Sequence, residues 1–168
     1  MIVRRLVPPD AVALVALRQK ALVEEPQSFG ASPGADQASS EDFVRTALAD
    51  PDQAILGAFA PALAGMVGIY RDRLLKARHK AHIWGMYVSP ELRGKGTGKL
   101  LIEAALTWAG EQAGVIQVHL VVSTRTPIAR KLYQSLGFST WGIEPSALRI
   151  NGELIDDEHM IRRLEDKV

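Results

Sequence analysis

The stretch Tyr87-Val88-Ser89-Pro90-Glu91-Leu92-Arg93-Gly94-Lys95-Gly96-Thr97-Gly98-Lys99 decides how the rest of the chain is read. An apolar run ends at Tyr87-Val88, and Ser89-Pro90 stops it because the residue before proline is pushed away from regular helix. Glycines at 94, 96 and 98 let the backbone approach a ligand and turn several N–H groups the same way. From Gly96 to Ala113 the sequence reads as a helix, with Leu100, Leu101, Ala104, Ala105 and Trp108 on one apolar stripe and Gly114 at its end. The N-terminus of that helix carries partial positive charge, and Arg93, Lys95 and Lys99 add whole charges. The expected ligand is a di-anion or pyrophosphate; a glycine cluster on its own is equally compatible with a flexible basic turn. Two phosphate loops are excluded. A Walker A loop needs glycine and Ser/Thr where Arg93 and Leu100 stand, and a dinucleotide fingerprint needs a third glycine where Lys99 stands.

Before this loop, His79–Val88 reads as a strand preceded by the charged stretch Arg71–Lys80. Residues Gln53–Tyr70 carry no charge and approach the length of a membrane span, but Gly57, Pro61, Gly65 and Gly68 would weaken a lone helix. The runs Ala54–Ala60 and Met66–Tyr70 fit a buried hairpin instead. At the start, Ile2–Val7 reads as a strand stopped by Pro8-Pro9. Asp10 can cap a helix Ala11–Glu24 carrying Val12, Val15, Ala16 and Leu22 near helical spacing. Residues 25–40, rich in Gly, Pro and Ser, are expected to be a mobile functional loop around Phe29. A short helix follows Ser40, with Phe43, Val44 and Leu48, and ends before Pro51.

Beyond the glycine loop, Val115–Val122 reads as a strand apolar enough to be buried on both faces. Thr126-Pro127 is expected to cap and start a helix carrying Ala129, Leu132, Tyr133 and Leu136 and closed by Gly137. Phe138–Ile150 and Glu153–Leu164 flank Asn151-Gly152, a strong hairpin signal. Strands and helices alternate, so a mixed α/β sheet in one domain spanning residues 1–168 is expected.

Composition bounds the rest. The 168 residues are 47% apolar and 23% charged, as in a globular domain. A net charge of +1 gives no argument for a nucleic-acid or membrane partner. Cysteine is absent, which excludes disulfides, thiolate metal sites and a cysteine nucleophile and suits the cytoplasm. The N-terminal apolar pieces are too short for a signal peptide.

Residues 87–98 resemble the acyl-CoA signature of the GNAT superfamily of N-acetyltransferases: a hydrophobic strand, a proline, then Arg-x-x-Gly-x-Gly. About thirty residues on, Ala129-x-x-Leu132-Tyr133-x-x-x-Gly137-Phe138 resembles its second signature, and element order fits from Ile2 to Leu164. The resemblance implies a GNAT-like α/β fold. Its central mixed sheet would have six to seven strands, helices on both faces and a splay between the fourth and fifth strands. It implies acetyl-CoA as acyl donor, no metal, and an amine acceptor on a small molecule, amino acid or peptide N-terminus. It also allows a homodimer through a sheet edge or the last hairpin.

The resemblance places the main chain of Met86, Tyr87 and Val88 along the pantetheine and Arg93, Gly94, Lys95, Gly96, Thr97, Gly98 and Lys99 around the pyrophosphate. Arg130 would reach an adenosine phosphate, unless it simply faces solvent on its helix. Tyr133 matches the tyrosine that protonates the departing thiolate in many relatives, against the alternative of a core tyrosine on an apolar stripe. Many relatives carry a glutamate on the strand before the glycine loop; here Ala81-His82-Ile83 puts His82 in its place. His82 is thus the expected base, weighed against a structural histidine. His79, three residues away, should face the opposite side, so no metal pair is expected; His119 and His159 read as ordinary strand residues. Gly85 marks a bulge near the cofactor. Thr126 stands where many relatives have asparagine for the pantetheine or substrate backbone, and its hydroxyl replaces an amide's donor and acceptor pair.

Residues 71–99 hold eight Lys/Arg against two acids, a local +6 expected to draw an anionic cofactor. Glu153, Asp156, Asp157 and Glu158 are candidates to receive a cationic acceptor, or else a solvated face. Acceptor selection is expected from residues 25–40 and 141–157. Two rival classes are a CoA-binding sensor without chemistry and a basic nucleic-acid binder. The second lacks the interleaved aromatics of a stacking platform.

Overall fold

The computed structural model describes residues 1–164. Seven strands form one sheet: β1 (Ile2–Arg5), β2 (Gln53–Phe59), β3 (Leu63–Arg71), β4 (Lys80–Val88), β5 (Gln117–Ser123), β6 (Ser139–Ile150) and β7 (Glu153–Arg163). Their spatial order is β1-β2-β3-β4-β5-β7-β6. Four helices accompany them: α1 (Ala11–Glu24), α2 (Glu41–Ala49), α3 (Thr97–Glu111) and α4 (Pro127–Ser135). All pairings are antiparallel except β4 with β5, where α3 makes the crossover. The uncharged stretch 53–70 is the expected hairpin of β2 and β3. Among the described residues no helix is long and apolar enough to cross a membrane.

Alternation along the strands feeds one core on each sheet face. Leu56, Val67, Ile69, Ala81, Ile83 and Val118 pack under α3 and α4, whereas Ile55, Met66 and Tyr87 pack with α1 and α2 on the other side. The α3 stripe is largely as expected: Leu101, Ala105 and Trp108 are buried and Ala104 packs against the core, while Leu100 is 44% exposed and Ile102, Leu106 and Ala109 join the inward face. In α1 the buried positions are Ala11, Leu14, Leu17, Arg18, Ala21 and Leu22, with Val12 turned outward. In α3 the polar row Lys99, Glu103, Thr107 and Glu111 marks the outer face, whereas the first turns of α1 are apolar all round, so there packing rather than pattern chose the inward face.

Three local expectations are corrected. Asp10 precedes α1 but does not cap it: its carboxylate accepts from Val7 N–H at 2.8 Å and pairs with Arg4. The expected loop over residues 25–40 is not without contacts: it holds two short 3-10 turns, Phe29 packs in the α1/α2 core, and Asp36 makes a doubly hydrogen-bonded pair with Arg18. Strand β5 buries one face only. Val118, Leu120 and Val122 point into the core while Gln117, His119 and Val121 face a cleft. The last hairpin is as expected, with Asn151 and Gly152 both at positive φ, and β7 inserts between β5 and β6.

The feature that creates the site is the parting of β4 from β5. Their pairing runs through Lys80–Gln117, Ala81–Val118 and His82–His119 and then stops, although both strands continue. A bulge in β4 accompanies the split. Met66 pairs with Tyr87 and Gly68 with Trp84, so Gly85 and Met86 together oppose Val67, and Gly85 has φ +64°. The extra residue breaks the ladder and bends the strand, and glycine is what makes the left-handed conformation inexpensive there.

Candidate active site

Two clefts flank the split and a narrow throat joins them. On one side a cleft of about 640 Å³ is walled by the glycine loop, the end of β4 and the start of α4. Gly94 and Gly96 adopt φ of +71° and +78°, and a Cβ at either would meet nothing within 4 Å. These two glycines serve conformation. Gly98 serves space, since a Cβ there would lie 3.1 Å from Leu132 Cδ2 and 3.2 Å from Met86 Cε. Buried Thr97 donates from its hydroxyl to Leu92 O at 3.0 Å, closing the loop onto itself. The first α3 hydrogen bond after the loop is Leu100 N–H to Gly96 O, which leaves the preceding helical N–H groups facing the cleft mouth without an intrahelical acceptor.

Of the residues the sequence assigns to a cofactor, Met86, Tyr87, Val88, Arg93, Gly94, Gly96, Thr97, Gly98, Lys99 and Thr126 all line this cleft. Lys95 sits exposed on the loop. Arg130 is the one the fold takes elsewhere. It pairs at 2.8 Å with Glu158 Oε2, a carboxylate only 3% exposed that also accepts from the Thr140 hydroxyl. Thr126 occupies the position before α4, yet its hydroxyl donates back to Ser123 O at 2.8 Å rather than capping the helix. That hydroxyl proton is therefore spent within the loop. The Tyr87 ring is buried among core residues while its hydroxyl donates to Glu24 at 2.5 Å, and burial with that carboxylate pushes it up to about 12. Arg93 donates from Nε to Val88 O at 2.8 Å and pairs with Glu25 at 3.0 Å, which ties the loop to the end of β4.

The local +6 is partly neutralised in three dimensions. Arg71 and Arg78 pair with Asp52, and Arg73 pairs with Asp50, away from the glycine loop. Arg93 and Lys99 border the cleft, paired with Glu25 and Glu103, and are joined there by Arg125, which pairs with Glu153.

The throat, about 90 Å³, runs between the parted strands and is bordered by Gly85, Met86, Leu120, Val122 and Tyr133. Tyr133 borders both the throat and the cofactor-side cleft. Its ring is 5% exposed and packs edge-on to Phe138, and among the described residues its hydroxyl makes no hydrogen bond. Burial alone raises its pKa, so the phenol stays protonated as a donor.

Beyond the throat lies a cleft of about 1140 Å³ floored by the open face of β4, β5 and β7. His82 sits on this floor, sandwiched between Tyr70 (centroids 5.0 Å apart) and His119 (5.5 Å). Its Nε2 is 3.4 Å from Asp72 Oδ2, within ion-pair distance but off the hydrogen-bond angle. Burial lowers the His82 pKa below 6.5; Asp72 opposes this and Lys80 reinforces it. His119 is likewise lowered, by burial first and then by His82 and its neighbours.

The expectation that His79 faces away fails because His79 precedes β4, where strand parity does not apply. All four histidines of the chain border this one cleft. Nor are His119 and His159 bystanders: His119 abuts His82 across the parallel pair, and His159 sits 3.0 Å from Glu144 and against Trp141. Sequence parity gives each strand's face, but only the pairing of β4, β5 and β7 brings these residues side by side. Among the described residues no group of His, Asp or Glu has metal-binding geometry. Of the acids in the last hairpin only Asp157 reaches the cleft. Glu153 pairs with Arg125, Asp156 accepts from Ser146 N–H, and Glu158 is buried.

Comparison with known proteins follows this architecture. No curated protein matches the sequence. Among solved structures, a GNAT-family acetyltransferase from Streptococcus pneumoniae is 27% identical with a TM-score of 0.85, over 97% of this chain and 99% of that one. A GCN5-related N-acetyltransferase from Kribbella flavida is 23% identical with a TM-score of 0.81, over 97% of each chain. A GNAT-superfamily phosphinothricin acetyltransferase from Sinorhizobium meliloti, in complex with acetyl-CoA, is 20% identical with a TM-score of 0.81, covering 97% of this chain and 88% of that one. The sequence model of the Acetyltransferase (GNAT) family matches residues 16–138, a span that takes in the bulge, the glycine loop and Tyr133. With that match over most of its length and a sheet parted where the loop and the tyrosine meet, the chain belongs to the GNAT acetyltransferase family.

Proposed function

We propose that this chain transfers an acetyl group from acetyl-CoA to a primary amine by direct attack. One observation carries the reading: a glycine-loop cleft and a histidine-floored cleft meet through a throat bordered by the buried, protonated Tyr133. The residues fit the donor. Loop and helix N–H groups with Arg93 and Lys99 suit a pyrophosphate, and the edge of β4 left unpaired after His82 suits the amide groups of a pantetheine arm.

Bound acetyl-CoA supplies an acyl group activated as a thioester. The chain's own residues then divide the work. His82 accepts the proton of the acceptor ammonium, directly or through water, because an alkylammonium with a pKa of about 10.4 cannot attack. The bulged main chain at Gly85–Met86, freed from the β3 ladder, offers an N–H donor to the carbonyl oxygen. As the C–N bond forms and the C–S bond breaks, Tyr133 hands its proton to the departing sulfur, and the proton shed by the new amide nitrogen returns through water to the phenolate.

The test is thermal unfolding with acetyl-CoA, CoA, ATP or NAD, followed by thiol release over a panel of amines. Ligand at a hundredfold its dissociation constant raises stability by about 2.7 kcal/mol. Stabilisation by both CoA species alone, with thiol release on adding amine, is the expected result. Stabilisation without turnover would identify a CoA sensor, and no stabilisation would end the reading.

A further inference from the structure

Arg18 on α1 is a guanidinium with unfinished business. Its side chain is 10% exposed. Nε and Nη2 are both taken by Asp36, while Nη1 is buried without a hydrogen-bond partner. The rings of Trp84 and Phe29 cover the guanidinium at 5.3 and 5.8 Å from their centroids. With its faces covered and one edge occupied, what remains is an in-plane N–H edge, the geometry that suits a carboxylate oxygen.

That edge lies at a junction. A Cβ at Gly85 would be 3.3 Å from Nη1, so the glycine of the bulge keeps open the space between the guanidinium and the throat. Gly85 borders the throat, the histidine-floored cleft and a third cavity of about 310 Å³ beneath α1 and α2. Arg18 and Asp36 are the charged residues in the walls of that third cavity, which are otherwise mostly apolar, with Leu14, Val44, Ile55 and Met66 among them. Trp84 forms one side, lying flat across β3 because position 68 is glycine; a Cβ there would collide with the indole. The lining of the larger cleft is biased the same way, with Arg18, Lys80 and Arg163 against Asp157.

We propose that the acceptor is an apolar α-amino acid, its carboxylate held by Arg18 Nη1 beside Gly85 and its side chain in the cavity between α1, α2 and Trp84. This rests on the acetyl-transfer reading and deepens it. The amine is then carried next to the throat, and the anchor that fixes it is an arginine already oriented by Asp36. Asp36 holds the guanidinium in place and also partly offsets its charge.

The experiment compares apolar L-amino acids with their α-amides and with the matching amines that lack the carboxyl group. It uses thiol release from acetyl-CoA and calorimetry of the same compounds with the protein alone. The expected result is at least a tenfold preference in kcat/KM for one or more acids over the matching amide and decarboxylated amine. Arg18→Gln should raise KM for the acid at least tenfold, with kcat and the KM for the amide little changed. Because Arg18→Gln strands the buried Asp36 carboxylate, the paired variant Arg18→Gln/Asp36→Asn removes both charges and should give the same KM shift. Asp36→Asn alone should tighten acid binding, a gain that a merely structural role would not produce. Amides or simple amines used as well as the acids, or no acid bound or acetylated, would overturn the assignment. Acetyl-CoA binding would still stand in that case; its absence would overturn the acetyl-transfer reading instead, with acid binding by calorimetry judged separately.

Discussion

At the scale of single residues the two positions proposed to carry the reaction differ in what holds them. Tyr133 is fixed by packing on α4 and keeps its proton because burial penalises the phenolate. Tyr133→Phe retains the ring and removes only the donor, so acetyl-CoA should bind within about threefold of wild type while turnover falls by about a hundredfold or more, the usual scale of acid–base catalysis. Single-turnover thiol release beside equilibrium binding separates the two effects. His82 is fixed by stacking between Tyr70 and His119 and by Asp72. It must be neutral to accept a proton, and its pKa lies below 6.5 because burial disfavours the imidazolium. The acidic limb of kcat/KM should therefore have its midpoint below 6.5, with activity lost as pH falls through it. His82→Gln should flatten that limb; a limb that persists in His82→Gln and disappears in His119→Gln would move the role one strand over. The same shift makes stability fall as pH drops from 6.5 through the folded-state value, because the unfolded chain binds the proton more readily there.

At the scale of elements the bulge in β4 governs the site. Gly85 at φ +64° turns the strand, frees main-chain N–H groups and leaves room beside Arg18. A β-branched residue there pays the left-handed strain and fills the gap together. Gly85→Val should cost about 1–3 kcal/mol in denaturant unfolding and lower kcat/KM by more than tenfold. Equal kcat/KM in the two proteins would show that the bulge is not part of the reaction. Much of this element was legible beforehand. Glycine in the middle of an apolar strand next to the glycine loop signalled a bulge, and Asn151-Gly152 signalled the last hairpin. What misled was local charge: Arg71, Arg73 and Arg78 read as part of a basic patch because Asp50 and Asp52, their partners, lie about twenty residues earlier in the chain.

At the scale of the whole molecule, the site sits between two cores on opposite faces of the sheet. Leu101, fully buried beneath the glycine loop, has a Cδ1 atom close enough to Gly65 that a Cβ there would lie 3.2 Å away. Leu101→Ala should cost about 2–5 kcal/mol, readable as a shift in denaturant midpoint at unchanged m-value. A loss below about 1 kcal/mol would mean that α3 repacks without it. The sequence by itself determined the order of elements, the glycine loop, the bulge and the candidate tyrosine. Those signals are carried by residues near one another in the chain, through turn chemistry, capping and periodicity. Only the tertiary structure decided which face of α1 turns inward, since a nearly uniformly apolar helix does not specify a face. It alone sent Arg130 to Glu158 and gathered four histidines on one cleft. It also left Arg18 with a buried, unpartnered donor beside Gly85, because strand pairing and long-range ion pairs join residues whose separation in sequence carries no local signal.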